Sequence, residues 1–151
     1  PFAFAGYWGG GEVPVQDGYL RTGDLAGVDA DGFVWLSGRV RDSINRGGFK
    51  VIPEEVEEVL LAHPAVRDAM IAGLPDDRLG SVPTAFVVLD DANADASVTE
   101  AIRSYVGGRV ARYKMPTAWY SVHEIPKTSN GKIRRNLAET LIADGRAKAL
   151  P

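Results

Sequence analysis

Apolar positions recur at every second residue in some stretches of the chain and at every third or fourth in others, and these two periods divide it into elements. Tyr19 to Thr22, Gly27-Val28 and Phe33-Val34-Trp35-Leu36 are short runs of strand type. Asp29-Ala30-Asp31-Gly32 reads as the hairpin turn between the last two, because glycine accepts the positive φ that such turns require. Asp42 to Val51 predicts a second, more open hairpin with its bend at Asn45 to Gly48. Pro53 suits the first turn of a helix, where its missing N–H costs nothing, and Glu54 and Glu55 suit the positive end of the helix dipole. Val56, Val59 and Leu60 give that helix one apolar face, and His63-Pro64 ends it. Its acidic residues are expected to face solvent.

Two apolar runs of strand length follow, Asp68 to Leu74 and Val82 to Leu89, separated by Pro75 to Gly80. Ser97-Val98-Thr99-Glu100 has the form of a capping box, and Val98, Ala101, Ile102, Tyr105 and Val106 trace a helical face behind it. Gly107-Gly108 weakens this helix, with a resumption possible towards Arg112 before Lys114-Met115-Pro116 imposes extended backbone. Ala118 to Ile125 predicts a third strand and Pro126 to Gly131 a polar loop. A last helix is expected from about Lys132 to Ala143, with Ile133, Leu137 and Leu141 on one face and Asp144-Gly145 as its stop. After the second hairpin the order is α, β, β, α, β, α. The expectation is an α+β domain of about 110 residues, with a central sheet of about three strands flanked by helices and an N-terminal β-hairpin. The segment Pro1 to Gly11, rich in glycine and aromatic residues, has neither period and is expected to be ordered only where a neighbour packs on it.

Composition narrows the function classes. The 17 basic and 20 acidic residues leave a net charge of −3, which gives no pull towards nucleic acid or an anionic membrane. There is no cysteine, so disulfides, thiolate metal sites and cysteine nucleophiles are excluded, and His63 and His123 are too few for a structural zinc site. No apolar run reaches the roughly 20 residues of a membrane span. A cytoplasmic setting without a metal site is the resulting expectation.

The chemistry concentrates in three stretches. Ser37 to Glu57 contains Gly38-Arg39-Val40-Arg41-Asp42, Ile44-Asn45, Gly48, Val51, Pro53 and Glu55-Val56-Glu57. Upstream lies Gly18-Tyr19-Leu20-Arg21-Thr22-Gly23-Asp24-Leu25, and near the end Pro126-Lys127-Thr128-Ser129-Asn130-Gly131-Lys132-Ile133. In order and spacing these resemble the motifs of the adenylate-forming family of acyl- and aryl-CoA synthetases, luciferases and peptide-synthetase adenylation domains. The resemblance covers essentially the whole chain but only the last quarter or so of a family member. It implies that residues 1–40 are the tail end of the large adenylation domain, with the strands up to Leu36 belonging there, and that residues 41–151 are the mobile C-terminal domain. The large N-terminal domain, with its phosphate loop and acyl pocket, is the implied partner.

The activity this implies is attack of a carboxylate on the α-phosphate of ATP, carried with Mg2+ on its phosphates, to give an acyl-adenylate and pyrophosphate, followed by attack of the CoA thiol. Nucleophile and phosphate are both anionic, so a positioned cation is needed. By resemblance Lys132 is that adenylation lysine; the plain alternative is a solvated lysine at a helix start. Asp24 matches the aspartate that holds the ribose hydroxyls, against a backbone cap as alternative. Arg39 would reach the same ribose, or would form a surface ion pair. Arg41 matches the hinge between two domain orientations, a place usually held by aspartate or lysine, and could instead pair with Asp42 or a nearby glutamate. Gly47, Gly48 and Lys50 match the loop beside the CoA pantetheine arm; an ordinary hairpin glycine accounts equally well for Gly48. Arg103, Arg109, Arg112 and Lys114 are the cations to test against CoA. Two other readings stay open: an adenylation unit that loads a carrier protein, and a non-catalytic free-standing binding domain. On the first reading the chain is an acid–thiol ligase fragment, inactive without its N-terminal domain, for an undetermined carboxylic acid.

Overall fold

A computed structural model describes residues 8–10, 15–90 and 96–151. Most of the glycine- and aromatic-rich opening, Pro1 to Gly11, lies outside the described residues. Contacts divide the chain into two compact units, Pro1–Arg41 and Asp42–Pro151.

The first unit is built from hairpins. Strands β1 (Val15–Gln16) and β2 (Tyr19–Leu20) pair across Asp17-Gly18, both at positive φ. Strands β3 (Asp24–Val28) and β4 (Val34–Arg39) form the expected longer hairpin. Asp29 shapes its turn, its Oδ1 accepting the N–H groups of Asp31 and Phe33 at 3.0 and 2.9 Å.

The second unit begins with the hairpin β5 (Ile44–Arg46) and β6 (Phe49–Val51), then helix α1 (Pro53–Leu61) and the long strands β7 (Val66–Asp76) and β8 (Gly80–Leu89). Helix α2 (Ala96–Gly107), β9 (Ala118–Val122), α3 (Ala138–Ala143) and β10 (Ala147–Ala149) complete it. The predicted element order holds, and the sheet is larger than about three strands. Among the described residues it has six, because the hairpin joins β8 through Arg46 opposite Gly80, and β10 adds an edge beside β9. Pairing is antiparallel except between β8 and β9.

Strand β8 is the spine. Its side chains alternate between two buried clusters, Ala85, Val87 and Leu89 towards α1 and α2, and Phe86 and Val88 towards α3. A strand buried on both faces reads as a continuous apolar run, which is why Val82 to Leu89 stood out. In β7 a register irregularity between Val66 and Asp68 lets both Val66 and Ala69 enter the first cluster despite their odd spacing.

Three expectations need correction. Ser97 lies inside α2, which already includes Ala96, rather than ahead of its first residue; Thr99 is buried on its inner face. The last helix starts at Ala138 rather than Lys132, preceded by a single 3-10 turn at Arg135–Leu137. The acidic residues of α1 do not all face solvent, since Glu57 is 6% exposed. Among the described residues no helix is long and apolar enough to cross a membrane.

Candidate functional site

In the first unit, Asp24 opens β3 and Arg39 closes β4, and the antiparallel register sets them directly opposite one another. Arg39 Nε lies 3.2 Å from Asp24 Oδ1, and the Asp24 N–H donates to Thr22 Oγ1 at 3.2 Å. The hairpin therefore brings together the two residues expected at the ribose. The pair is also a partly exposed ion pair of the kind set against that role above. Arg41, exposed in the 3-10 turn Val40–Asp42, is the last residue of the first unit.

In the second unit the Gly47-Gly48 bend has φ of 55° and 92°, the two positive angles of a type I′ turn, so the two-residue loop needs glycine-like freedom. The turn is fixed from outside: the Gly47 N–H donates to the Leu79 carbonyl at 2.9 Å and the Gly48 N–H to Asn45 Oδ1 at 3.1 Å. Arg46 donates to the carbonyls of Tyr113 and Met115 at 2.8 and 3.2 Å, and Phe49 stacks on Tyr113 with ring centres 5.0 Å apart. Beside the turn Arg46, Gly47, Phe49, Leu79, Arg112 and Tyr113 line an open cavity of about 410 Å³. A side chain added at Gly48 would meet nothing within 4 Å. Lys50 is exposed on β6, opposite Asn45.

Of the four cations singled out for CoA, Arg112 reaches this cavity. Arg109 lies over the Tyr105 ring, Arg103 faces Trp119, and Lys114 pairs with Glu55. The Glu55 hydrogen bond holds the Lys114 pKa above its ordinary value.

Lys132 sits in a tight turn rather than a helix. Lys127 and Ile133 form an antiparallel bridge, and the Thr128 N–H donates to the Lys132 carbonyl at 2.8 Å. The Lys132 N–H donates to Thr128 Oγ1 at 3.1 Å, and the Arg134 N–H to the Pro126 carbonyl at 2.8 Å. These bonds occupy the N–H groups, leaving the Lys132 side chain exposed near the tip. One foot of the turn is pinned by Lys127 Nζ at 2.6 Å from Asp68 Oδ2 on β7.

The other foot is pinned more firmly, by a group the sequence reading passed over. Arg135 reaches both oxygens of Glu57 at 2.9 and 2.7 Å and Glu54 Oε1 at 3.1 Å, while its Nε donates to the Ile71 carbonyl at 3.1 Å. The Ile71 N–H donates back to Glu57 Oε1 at 2.7 Å. Burial pushes the Glu57 carboxyl above its ordinary 4.5, and the Arg135 charge and the Ile71 N–H oppose that shift without cancelling it. The signal was present in the helical spacing, since Pro53, Val56, Glu57 and Leu60 share the buried stripe of α1. A carboxylate there needs a partner.

The Lys132 turn is tied to Asp68 and Ile71, which face Val88 and Ala85 of β8, whereas the Gly47-Gly48 turn is tied to Leu79, next to the opposite end of β8. The eight residue-to-residue steps from Gly80 to Val88 correspond to roughly 26 Å of strand. The second unit therefore presents two separate loops.

Residues 55–132 match the AMP-binding enzyme C-terminal domain, more than half of the chain. The chain belongs to that family. The long-chain-fatty-acid–CoA ligase of Bacillus subtilis (strain 168) is 41% identical over 144 residues, which make up 92% of this chain and 25% of that protein. The chain thus spans about a quarter of the length of the curated relatives it matches. Among solved structures, the o-succinylbenzoate CoA synthetase of Bacillus subtilis in complex with the acyl-adenylate intermediate OSB-AMP superposes with a TM-score of 0.80 at 33% identity. It covers 89% of this chain, which spans 28% of it. The same synthetase in complex with ATP and magnesium ion gives 0.71 at 37% identity, over 83% of this chain and 25% of that one. The mixed fold with its mostly antiparallel sheet is that of the C-terminal domain of CoA ligases.

Proposed function

We propose that this C-terminal domain serves an acid–thiol ligase that converts a carboxylic acid, ATP and CoA into an acyl-CoA. In the first step a carboxylate oxygen bonds to the α-phosphorus of ATP, and the bond to pyrophosphate breaks. In the second the CoA thiol, losing its proton, attacks the acyl carbon and AMP leaves. The observation that carries the reading is Lys132, presented on a tight turn with its backbone donors satisfied inside the turn and its side chain exposed. An ammonium there would screen the approach of one anion to another.

The remaining site residues take roles that suit their geometry. Asp24, with Arg39 across the hairpin, offers a carboxylate and a guanidinium to the hydroxyls of the ribose. Arg41 is the pivot. Gly48 leaves open space where the thiol arm would pass, and Arg46 and Arg112 give the neighbouring cavity cations for the CoA phosphates. That cavity and the CoA ligases among the relatives favour free CoA over a carrier protein. Residues 1–40 fit the end of the large N-terminal domain: Val34, Trp35 and Leu36 are successive on β4 and all more than half exposed, so among the described residues neither face of this ribbon has a core of its own.

The test is carboxylate-dependent ATP–pyrophosphate exchange across short, long and aromatic acids. The expected result is no exchange by this chain alone, and exchange once it is joined to the large domain of a CoA ligase. Lys132→Ala should then lower exchange by about a hundredfold or more. Exchange that survives Lys132→Ala overturns the assignment.

A further inference from the structure

We propose that Arg135 is the positioning residue for the Lys132 turn, holding it to α1 and β7 so that the loop and the body of the domain move as one piece. The inference rests on the adenylation reading of Lys132.

Arg135 lies three residues beyond Lys132, at the start of the 3-10 turn Arg135–Leu137. Its guanidinium binds two separate elements at once, the Glu54 and Glu57 carboxylates of α1 and the Ile71 carbonyl of β7. A planar fork of five donors reaches these acceptors in fixed geometry, which the three rotatable donors of an ammonium do less well. Glu57 is held in turn by the Ile71 N–H, so the acceptor is aimed before the guanidinium arrives. The Arg135 side chain is 18% exposed and that of Glu57 8%, which sets this tie apart from the more exposed Lys127–Asp68 contact at 40% and 28%. Low exposure strengthens directional charge-assisted bonds and raises the cost of breaking them singly.

The turn's own bonds define its shape but not its place on the domain. Among the described residues the backbone N–H groups of Thr128, Gly131, Lys132 and Arg134 bond within residues 126–134. Placement falls to Lys127 on one strand of the turn, to Ile133 on the other, which packs against the cluster of Phe86 and Val88, and to Arg135 just after it. Of these, Arg135 also reaches α1, the helix that directly follows the Gly48 hairpin.

Arg135→Ala alone would strand the buried Glu57 charge and could unfold the domain. The informative variant is therefore Glu57→Gln with Arg135→Met, which removes both charges together while leaving an acceptor for the Ile71 N–H; Arg135→Lys serves as the conservative variant. Hydrogen exchange on the full chain is the first readout. In the double variant the amides of Thr128, Lys132 and Arg134 should lose about tenfold or more in protection, the factor that one charge-assisted bond corresponds to. Amides of β8 should keep theirs, and Arg135→Lys should fall between. Unchanged protection of the turn in a folded double variant overturns the proposal.

The second readout uses the chain joined to a CoA ligase large domain. Adenylation kcat should fall by about a hundredfold with KM for ATP little changed, as expected when a catalytic group is misplaced by about an ångström. Thioester formation from a supplied acyl-adenylate should hold. Equal loss in both half-reactions would mean general damage to the fold and would also overturn the proposal. Failure of the Lys132 reading looks different: Lys132→Ala would leave pyrophosphate exchange intact, whatever the hydrogen-exchange result.

Discussion

Replacing Gly48 by alanine separates the thioester loop from an ordinary hairpin. The residue sits at φ of 92° in a two-residue turn, and an added Cβ would meet no atom within 4 Å. The structural cost is then backbone strain alone, about 1–2 kcal/mol for an L-residue forced into left-handed space. The Gly48 N–H keeps its bond to Asn45 Oδ1, because alanine retains that donor. For a chain of 151 residues each kcal/mol lowers the melting temperature by about 2–4 °C, so a drop of several degrees is all that the fold predicts. Gly47→Ala provides the contrast, since it adds to the strain of a φ of 55° a Cβ at 3.0 Å from Leu79 Cδ2, which must give way by a few tenths of an ångström.

If the pantetheine arm passes Gly48, the same methyl group obstructs it in the complex though it obstructs nothing in the free domain. A methylene forced into a filled passage costs about 1–3 kcal/mol, which is about five- to a hundredfold in rate. The assay is single-turnover thioester formation from preformed acyl-adenylate, alongside pyrophosphate exchange, in the chain joined to a CoA ligase large domain. The expected result is a thioester step slowed about tenfold or more with exchange unchanged. Gly48→Asn should recover part of the melting temperature, since asparagine tolerates positive φ, without recovering the thioester step. A folded Gly48→Ala domain that forms thioester at the normal rate, or one that loses both half-reactions equally, refutes the reasoning.

Two further expectations test the charged pairs. Because burial raises the folded-state pKa of Glu57 above its ordinary 4.5, its protonation favours the folded state. That contribution is fully present below the unfolded value and disappears as pH rises through the raised one. Urea midpoints measured against pH should therefore fall across the window just above 4.5, and Glu57→Gln should flatten that fall; an identical slope in both proteins would contradict the assignment. For the Asp24–Arg39 pair, Asp24→Asn should change stability by less than about 1 kcal/mol, as a partly exposed ion pair allows, while raising KM for ATP severalfold in the chain joined to a CoA ligase large domain. An unchanged KM would leave only the ion-pair role.

What the sequence disclosed and what it hid follow from the range of the interactions involved. The strands and α1 were legible because their evidence is local: a continuous apolar run in β8, proline at the helix start, an Asp-Gly turn between apolar stretches. The joining of the β5–β6 hairpin to β8, and the edge strand β10 at Ala147–Ala149, depend on partners more than twenty residues away and leave no local period. The last helix was misplaced for a different reason. Ile133, Leu137 and Leu141 recur at spacing four and imitate a helical face, but Thr128 Oγ1 and the Pro126 carbonyl capture the N–H groups of Lys132 and Arg134 before a helix can begin. A turn built on a hydroxyl and a proline carbonyl thus competes with a good apolar period and wins. For the site the same division holds. Glycine and lysine motifs mark the two loops in sequence, while the clamp that places one of them requires a glutamate on an apolar stripe to find an arginine 78 residues later. That glutamate was the readable trace. A charge at a buried helical position implies a distant partner, and here the partner stands three residues from the lysine on which the proposed chemistry depends.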